Sequence, residues 1–235
     1  MGKNGIIMTK VSAIIPSAGH GDRFGEAKQF KKLAGRPLLF HSLKLFLSCR
    51  IIDEVVVVVQ EEYVEHIYRD VFSIAAGKPI KSIPGGLHRQ DSVQNGVLAT
   101  DSESTLVCVH DAARPFVTED LITASISACE KYDGAIVALP SSDTVKLSED
   151  GQVKKTVDRK NVWLAQTPQT FHRGKLIQAL NKANQRNLVA TDEATLMENM
   201  GFSIGLVQGH ANNFKITTNE DWERAETLIK WSEQV

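Results

Sequence analysis

Cysteine is scarce in this 235-residue sequence: Cys49, Cys108 and Cys129 are the three it has, widely spaced and without C-x-x-C pairing. An odd, scattered set provides neither a disulfide framework nor a zinc site; it fits a reducing compartment, and the chain is read as cytoplasmic. Long apolar runs are missing too. The longest, Val55 to Val59, has the length of a strand and falls far short of the ~20 residues that span a bilayer, so no membrane partner is expected. Nor is there an excess of one charge: 27 Lys and Arg stand against 28 Asp and Glu, a formal net charge of −1. No global basic field draws in nucleic acid, so any site for a polyanion must be assembled from locally placed cations. Met1 to Lys10 lacks both a signal-peptide core and an arginine-rich transit character and reads as a leader outside the fold.

What is present begins with Val11-Ser12-Ala13-Ile14-Ile15, an apolar strand that runs into Pro16-Ser17-Ala18-Gly19-His20-Gly21-Asp22-Arg23-Phe24-Gly25-Glu26-Ala27-Lys28. Glycines let a backbone approach a ligand closely, and successive amide N–H groups in such a turn make a concave cradle for phosphate oxygens. Arg23 and Lys28 set two cations beside it. A P-loop requires G-x-x-x-x-G-K-[ST], but the fifth residue after Gly19 is Phe24. A dinucleotide fingerprint requires G-x-G-x-x-G and an acidic residue after the second strand; here the third glycine comes one place late, at Gly25, and that strand ends in Gln60.

Downstream, apolar spacing predicts a helix after Pro37 carrying Leu38, Leu39, Ser42, Leu43, Phe46 and Leu47, then a strand over Val55 to Val59 buried on both faces. Tyr63, Ile67 and Val71 mark a second helix closing near Gly77, and Lys81 to Pro84 a third strand. Strand and helix alternating in this way predict an α/β fold, a Rossmann-like, mostly parallel sheet with helices on both faces. Gly85-Gly86-Leu87-His88-Arg89-Gln90-Asp91-Ser92-Val93 enters a helix expected to bury Val93, Val97 and Leu98. Leu106 to Val109 is a buried strand ending in His110-Asp111-Ala112-Ala113-Arg114-Pro115, which puts Asp111 in the crevice where open α/β sheets bind ligands, a position suited to a divalent cation. His110 is read as structural.

Thr118 can cap a helix with Leu121, Ile122, Ile126 and Cys129 inward, and Gly134 to Leu139 is the next strand. Thr144 to Leu147 and Val153 to Val157 then alternate about Glu149-Asp150-Gly151-Gln152, the pattern of a hairpin. Such an arm is marginal alone and needs a surface to pack on, with a partner subunit the natural one. Strands at Trp163 to Gln166, Ile204 to Val207 and Phe214 to Thr217, and helices at Arg173 to Gln185, Thr191 to Met200 and beyond Thr218, complete a single domain, 1–235, with a protruding arm at about 141–159.

The pattern G-x-G-x-R-x-G followed by lysine resembles the opening of the sugar-phosphate nucleotidyltransferases. Over nearly the whole chain the order of Gly19 to Lys28, Arg89 to Val93, His110 to Pro115, Asp143-Thr144, Thr156-Val157-Asp158-Arg159, Thr167-Pro168-Gln169, Thr191-Asp192-Glu193 and Lys215-Ile216-Thr217 resembles the 2-C-methyl-D-erythritol 4-phosphate cytidylyltransferase family. The resemblance implies attack by a polyol phosphate on the α-phosphorus of CTP with release of pyrophosphate. It assigns Arg23 and Lys28 to the triphosphate and transition state, and Ser17, Ala18, Gly19, Gly21, Gly86, Ser92 and Ala112 to the nucleotide. Arg159 and Lys215 would hold the acceptor phosphate for attack, with Arg114, Thr144, Thr167 and Thr191 as lesser contacts, and Asp111 would hold Mg²⁺ or another divalent cation. The arm would cross to a second subunit and complete the site of a homodimer. Against the family pattern, the stretch from Arg23 to Lys28 is short and has Ala27 where proline is common. Leu87 occupies an often acidic place, and Asn213 replaces a frequent aspartate. Two alternatives stay open: the same chemistry on ribitol 5-phosphate, and a nucleotide-binding regulator without catalysis. Asp91-Ser92, Ala113 and the Thr156 to Arg159 run favour the methylerythritol reading over the first. The presence of Arg23, Lys28, Asp111, Arg159 and Lys215 together disfavours the second.

Overall fold

The computed structural model describes residues 9–19, 28–72, 75 and 77–232. Loop residues Gly21 and Arg23 lie outside them. Strand β1 (Val11–Pro16) is followed by a small hairpin, β2 (Lys32–Leu33) and β3 (Arg36–Pro37), and by helix α1 (Leu38–Ser48). Then come β4 (Glu54–Val59), α2 (Val64–Phe72), β5 (Ile80–Pro84), α3 (Arg89–Ala99), β6 (Leu106–Val109), α4 (Glu119–Ala128) and β7 (Gly134–Pro140). The arm strands β8 (Val145–Glu149) and β9 (Gln152–Val157) precede β10 (Trp163–His172), α5 (Arg173–Gln185), α6 (Glu193–Glu198), β11 (Ile204–Gln208) and α7 (Asn219–Ser232).

Seven strands form one mixed sheet in the order β11-β7-β10-β6-β1-β4-β5. β10 runs antiparallel to β6 and β7, and the other pairings are parallel. The all-valine run of β4 is buried at every position because both faces of the sheet are covered. Val55, Val57 and Val59 pack with Leu39, Leu43 and Phe46 of α1 on one face, while Val56 and Val58 pack with Val93 and Val97 of α3 on the other. Gly96 permits the second contact: a Cβ there would lie 2.5 Å from Ile14 Cγ2 and 3.2 Å from Val58 Cγ2. Leu98, expected on this buried side, is instead 59 % exposed; it falls one residue past the buried Val97, where the helix surface has already turned toward solvent.

The strand order fixes where a ligand can sit. From β1 the chain moves to β4 and β5 on one side, then returns to β6 on the other, which makes the β1–β6 boundary a topological switch point with a crevice beyond the strand ends. Antiparallel β10 enters beside β6 and carries Thr167-Pro168, joined by a cis peptide, to the same end.

Phe214 to Thr217 is not a strand. It is a strap without ladder partners: Ile216 N–H donates to Ala113 O at 2.8 Å, while Thr217 N–H, Thr217 O–H and Thr218 N–H all donate to Asp221 Oδ2. These bonds pair the amides of Ile216 and Thr217 in place of a neighbouring strand. Ile216 is buried with Leu33, Leu38, Trp222 and Ala225, which fastens the strap between α1 and α7. No described helix is long and apolar enough to cross a membrane.

Candidate active site

Beyond the switch point lie two pockets with a common wall. The larger, about 320 Å³, is lined by Ser17, Ala18, Gly19 and Lys28 from the first loop, Gly86 to Arg89 and Ser92 from the second, and Asp111 to Ala113 after β6. The smaller, about 200 Å³, is lined by Arg114, Ala165 to Thr167, Gln169, Thr191 and Asp192. Arg89, Asp111 and Lys215 belong to both.

Close backbone approach builds the first pocket. Ser17 N–H donates to Val58 O and Gly85 N–H to Val59 O, continuing the β1 and β5 pairings with β4 past the strand ends. A Cβ on Gly85 would lie 2.3 Å from Ala18 Cβ, so only glycine lets the two loops touch. The Asp91 carboxylate accepts from His88 N–H at 2.9 Å at the start of α3. The Ser92 hydroxyl accepts from Gly86 N–H and donates to His88 O, each at 3.1 Å, so it braces the loop that lines the pocket. Ser17 Oγ is buried without a hydrogen-bond partner among the described residues, a hydrogen-bonding group in the pocket lining. Leu87 is 89 % exposed and adds an apolar lip instead of the acidic contact common at its place.

Electrostatics concentrate on the shared wall. Lys215 Nζ donates to Asp111 Oδ2 at 2.8 Å, Arg89 Nε donates to Oδ1 at 3.1 Å, and Arg114 Nε lies 3.9 Å from Oδ2. Burial alone would raise the Asp111 pKa; Arg89, then Lys215 and Arg114, overcome it and hold the carboxyl well below the usual carboxylate range. Arg89 also donates from Nη1 to Glu193 Oε1 at 2.7 Å. Burial pushes the Glu193 carboxyl up, with Arg89 opposing. Lys28 Nζ donates to Ile216 O at 2.6 Å, which ties the first loop to the strap bearing Lys215.

His110 is fully buried, and burial pushes its pKa down to about 4, which keeps it neutral at pH 7. Its partners fix the tautomer. Arg114 O can only accept, so Nε2 donates to it at 3.1 Å and Nδ1 accepts from the Thr167 hydroxyl at 3.0 Å. That hydroxyl in turn accepts from Asp111 N–H at 3.1 Å, and the relay sets the peptide that bears the carboxylate. The structural reading of His110 therefore holds, with a definite task. Asn213 also has a reason to differ from aspartate: its buried amide donates to Thr167 O and Gln166 Oε1, two acceptors that an ionised carboxylate could not serve.

Residues 11–231 match the family model described as IspD, 2-C-methyl-D-erythritol 4-phosphate cytidylyltransferase. The chain belongs to that family. A 2-C-methyl-D-erythritol 4-phosphate cytidylyltransferase of Caldanaerobacter subterraneus is 38 % identical over 224 residues, 94 % of this chain and 99 % of that protein. Its counterpart in Syntrophus aciditrophicus is 39 % identical over 95 % of this chain and 97 % of its own length. The crystal structure of 4-diphosphocytidyl-2C-methyl-D-erythritol synthase from Anaerococcus prevotii, 31 % identical, superposes with a TM-score of 0.85 over 95 % of this chain and 99 % of that one.

In this member of the family, the described residues expected at the nucleotide and most of those expected at the acceptor divide between the two pockets. Ser17, Ala18, Gly19, Lys28, Gly86, Ser92 and Ala112 line the larger; Arg114, Thr167 and Thr191 line the smaller; Asp111 and Lys215 stand between. Thr144 and Arg159 line neither. Both are exposed at the base of the arm, where Arg159 Nη1 donates to Ser142 O at 2.7 Å. Sequence reasoning gave no role to Arg89 or Glu193. Each lies in a run that carried the resemblance, yet an Arg or Glu opening a helix reads as a solvated end, and only the fold brings them together.

Proposed function

We infer that this chain transfers a cytidylyl group from CTP to 2-C-methyl-D-erythritol 4-phosphate, releasing pyrophosphate and forming 4-diphosphocytidyl-2-C-methyl-D-erythritol for isoprenoid biosynthesis. Family membership supports the reaction. The observation that carries the assignment of parts is the pair of pockets sharing Arg89, Asp111 and Lys215. A phosphate oxygen of the acceptor, in the smaller pocket, attacks the α-phosphorus of CTP in the larger. The new P–O bond forms as the bond from that phosphorus to the bridging oxygen breaks, and pyrophosphate departs with the electron pair. Negative charge spreads over the phosphorus in transit, so the protein's work is alignment and electrostatic stabilisation.

Arg23 and Lys28 meet the triphosphate, Gly21 adds a backbone contact in the same loop, and Lys215 and Arg159 hold the acceptor phosphate with help from Arg114, Thr144, Thr167 and Thr191. Among the described residues no group of three or more His, Cys, Asp or Glu could cage a metal. Asp111 is a single carboxylate beside two phosphate pockets, with its oxygens accepting from Arg89 and Lys215; by exchanging one of these partners it would meet Mg²⁺ arriving with its triphosphate, since that ion keeps its waters and takes few protein ligands. When bound there, the ion would neutralise phosphate charge and draw electron density from the reacting phosphorus.

The arm supports a homodimer. Leu147 and Val153 are 54 % and 64 % exposed, on a two-stranded sheet separate from the main one, and burial against a second copy would remove that apolar surface from water. On this reading residues 1–235 are one domain, about 141–159 is its dimerisation arm, and the enzyme works in the cytoplasm.

The test is pyrophosphate release from CTP by the full chain. Release that needs both the polyol phosphate and Mg²⁺, and stops on chelation with EDTA, is the expected result. CTP binding with no release under any of these conditions would replace the enzyme with a nucleotide-binding regulator.

A further inference from the structure

Among the described residues, Glu193 is a buried charge that the two pockets do not explain. The residue is 1 % exposed, one carboxylate oxygen accepts from Arg89 Nη1, and the other, Oε2, has no hydrogen-bond partner among the described residues. A buried carboxylate left half-satisfied costs stability and is not needed to start α6, because Asp192 already caps that helix by accepting from Thr195 N–H at 3.0 Å. Nor does Glu193 line either pocket, so it must act through what it holds.

What it holds is the guanidinium that occupies Asp111. Arg89 directs Nε and Nη2 at Asp111 Oδ1, both at 3.1 Å, and Nη1 at Glu193. One positive charge is thus divided between two carboxylates, only one of which faces the pockets. We propose that Glu193 is a positioning residue: by engaging Arg89 it draws that guanidinium partly off Asp111, and so leaves Asp111 able to exchange an arginine partner for a divalent cation. The inference rests on the reading of Asp111 as the carboxylate that meets the cation. Without the charge on Glu193, Arg89 belongs wholly to Asp111, and an incoming cation meets a stronger competitor.

The experiment is calorimetric titration of CTP into the full chain, without acceptor, across a range of MgCl₂ concentrations. The readout is the Mg²⁺ midpoint for CTP binding. Glu193→Gln keeps the size and an oxygen for Arg89 Nη1 while removing the charge, and should raise the midpoint about tenfold, the usual scale on which one neighbouring charge alters a carboxylate's partners. In Arg89→Gln/Glu193→Gln the competitor is gone and the midpoint should return to the wild-type value or below. A midpoint unmoved in Glu193→Gln, or still raised in the double variant, overturns the proposal. If the single variant does not fold, the double variant, whose buried pair is neutral, carries the test with a stricter criterion: loss of the competing arginine should bring the midpoint below the wild-type value, and an unmoved or raised midpoint overturns the proposal. Asp111→Asn separates the two readings: it should raise the midpoint at least as far as Glu193→Gln does, because the ion then has the triphosphate without the carboxylate. An unchanged midpoint there would bring down the metal assignment and this inference with it, whereas a rise there with no shift in Glu193→Gln overturns this inference alone.

Discussion

Replacing Lys215 with alanine is expected to lower turnover about 10²- to 10³-fold, the usual effect of deleting one preorganised charge stabiliser. The amine is one of three groups lining both pockets and lies 2.8 Å from Asp111. Its charge is therefore available at the boundary that a phosphoryl group must cross. The loss should fall on kcat more than on KM, because the interaction strengthens as charge builds on the phosphorus in transit. Stability should change little: the side chain is about one-third exposed, and Asp111 keeps Arg89 and Arg114. Lys215→Arg should not restore full activity, since a planar fork cannot take the place of a compact ammonium. Steady-state pyrophosphate release at saturating CTP and acceptor measures the effect, and near-normal turnover in Lys215→Ala would refute the role.

The second large effect concerns subunits. Arg159 is exposed on the arm and distant in role from the pockets of its own chain, whereas Lys28 lines the larger pocket directly. If the arm serves a neighbour, Arg159→Ala and Lys28→Ala damage different chains' contributions to one site. Each variant alone should lose at least about 10²-fold in activity. Mixed and allowed to exchange, they should form hybrid dimers in which one site has both residues and the other has neither. Random assortment into symmetric pairs then restores about one quarter of the wild-type sites. No recovery, with exchange demonstrated independently by a labelled subunit, would place Arg159 outside the partner's site.

The sequence made local patterns legible and left the charge ring obscure. An all-valine run could only be a strand covered on both faces, and β4 is one; α5 spans Arg173–Gln185 as its spacing required. The alternation on either side of Asp150-Gly151 produced the arm. Phe214 to Thr217 misled because β-rich composition cannot reveal whether a neighbour will offer a ladder; Asp221 and Ala113 supply those bonds instead. Leu98 misled by a single step around a helix whose apolar face is narrow. Asp111 was identified as a strand-end carboxylate, but the cations around it come from positions 89, 114 and 215, and no local window joins those. The departure at Asn213 had no visible reason until the fold put two acceptors against its amide.

The most direct measurement offers 2-C-methyl-D-erythritol 4-phosphate and ribitol 5-phosphate together to the enzyme with CTP and Mg²⁺, and identifies the cytidylylated product by mass. The two pockets and the family to which the chain belongs predict one product, 4-diphosphocytidyl-2-C-methyl-D-erythritol, formed in equal amount to the pyrophosphate released. Preferential formation of the ribitol product would keep the fold and the chemistry of the shared wall but contradict the acceptor assigned to the smaller pocket.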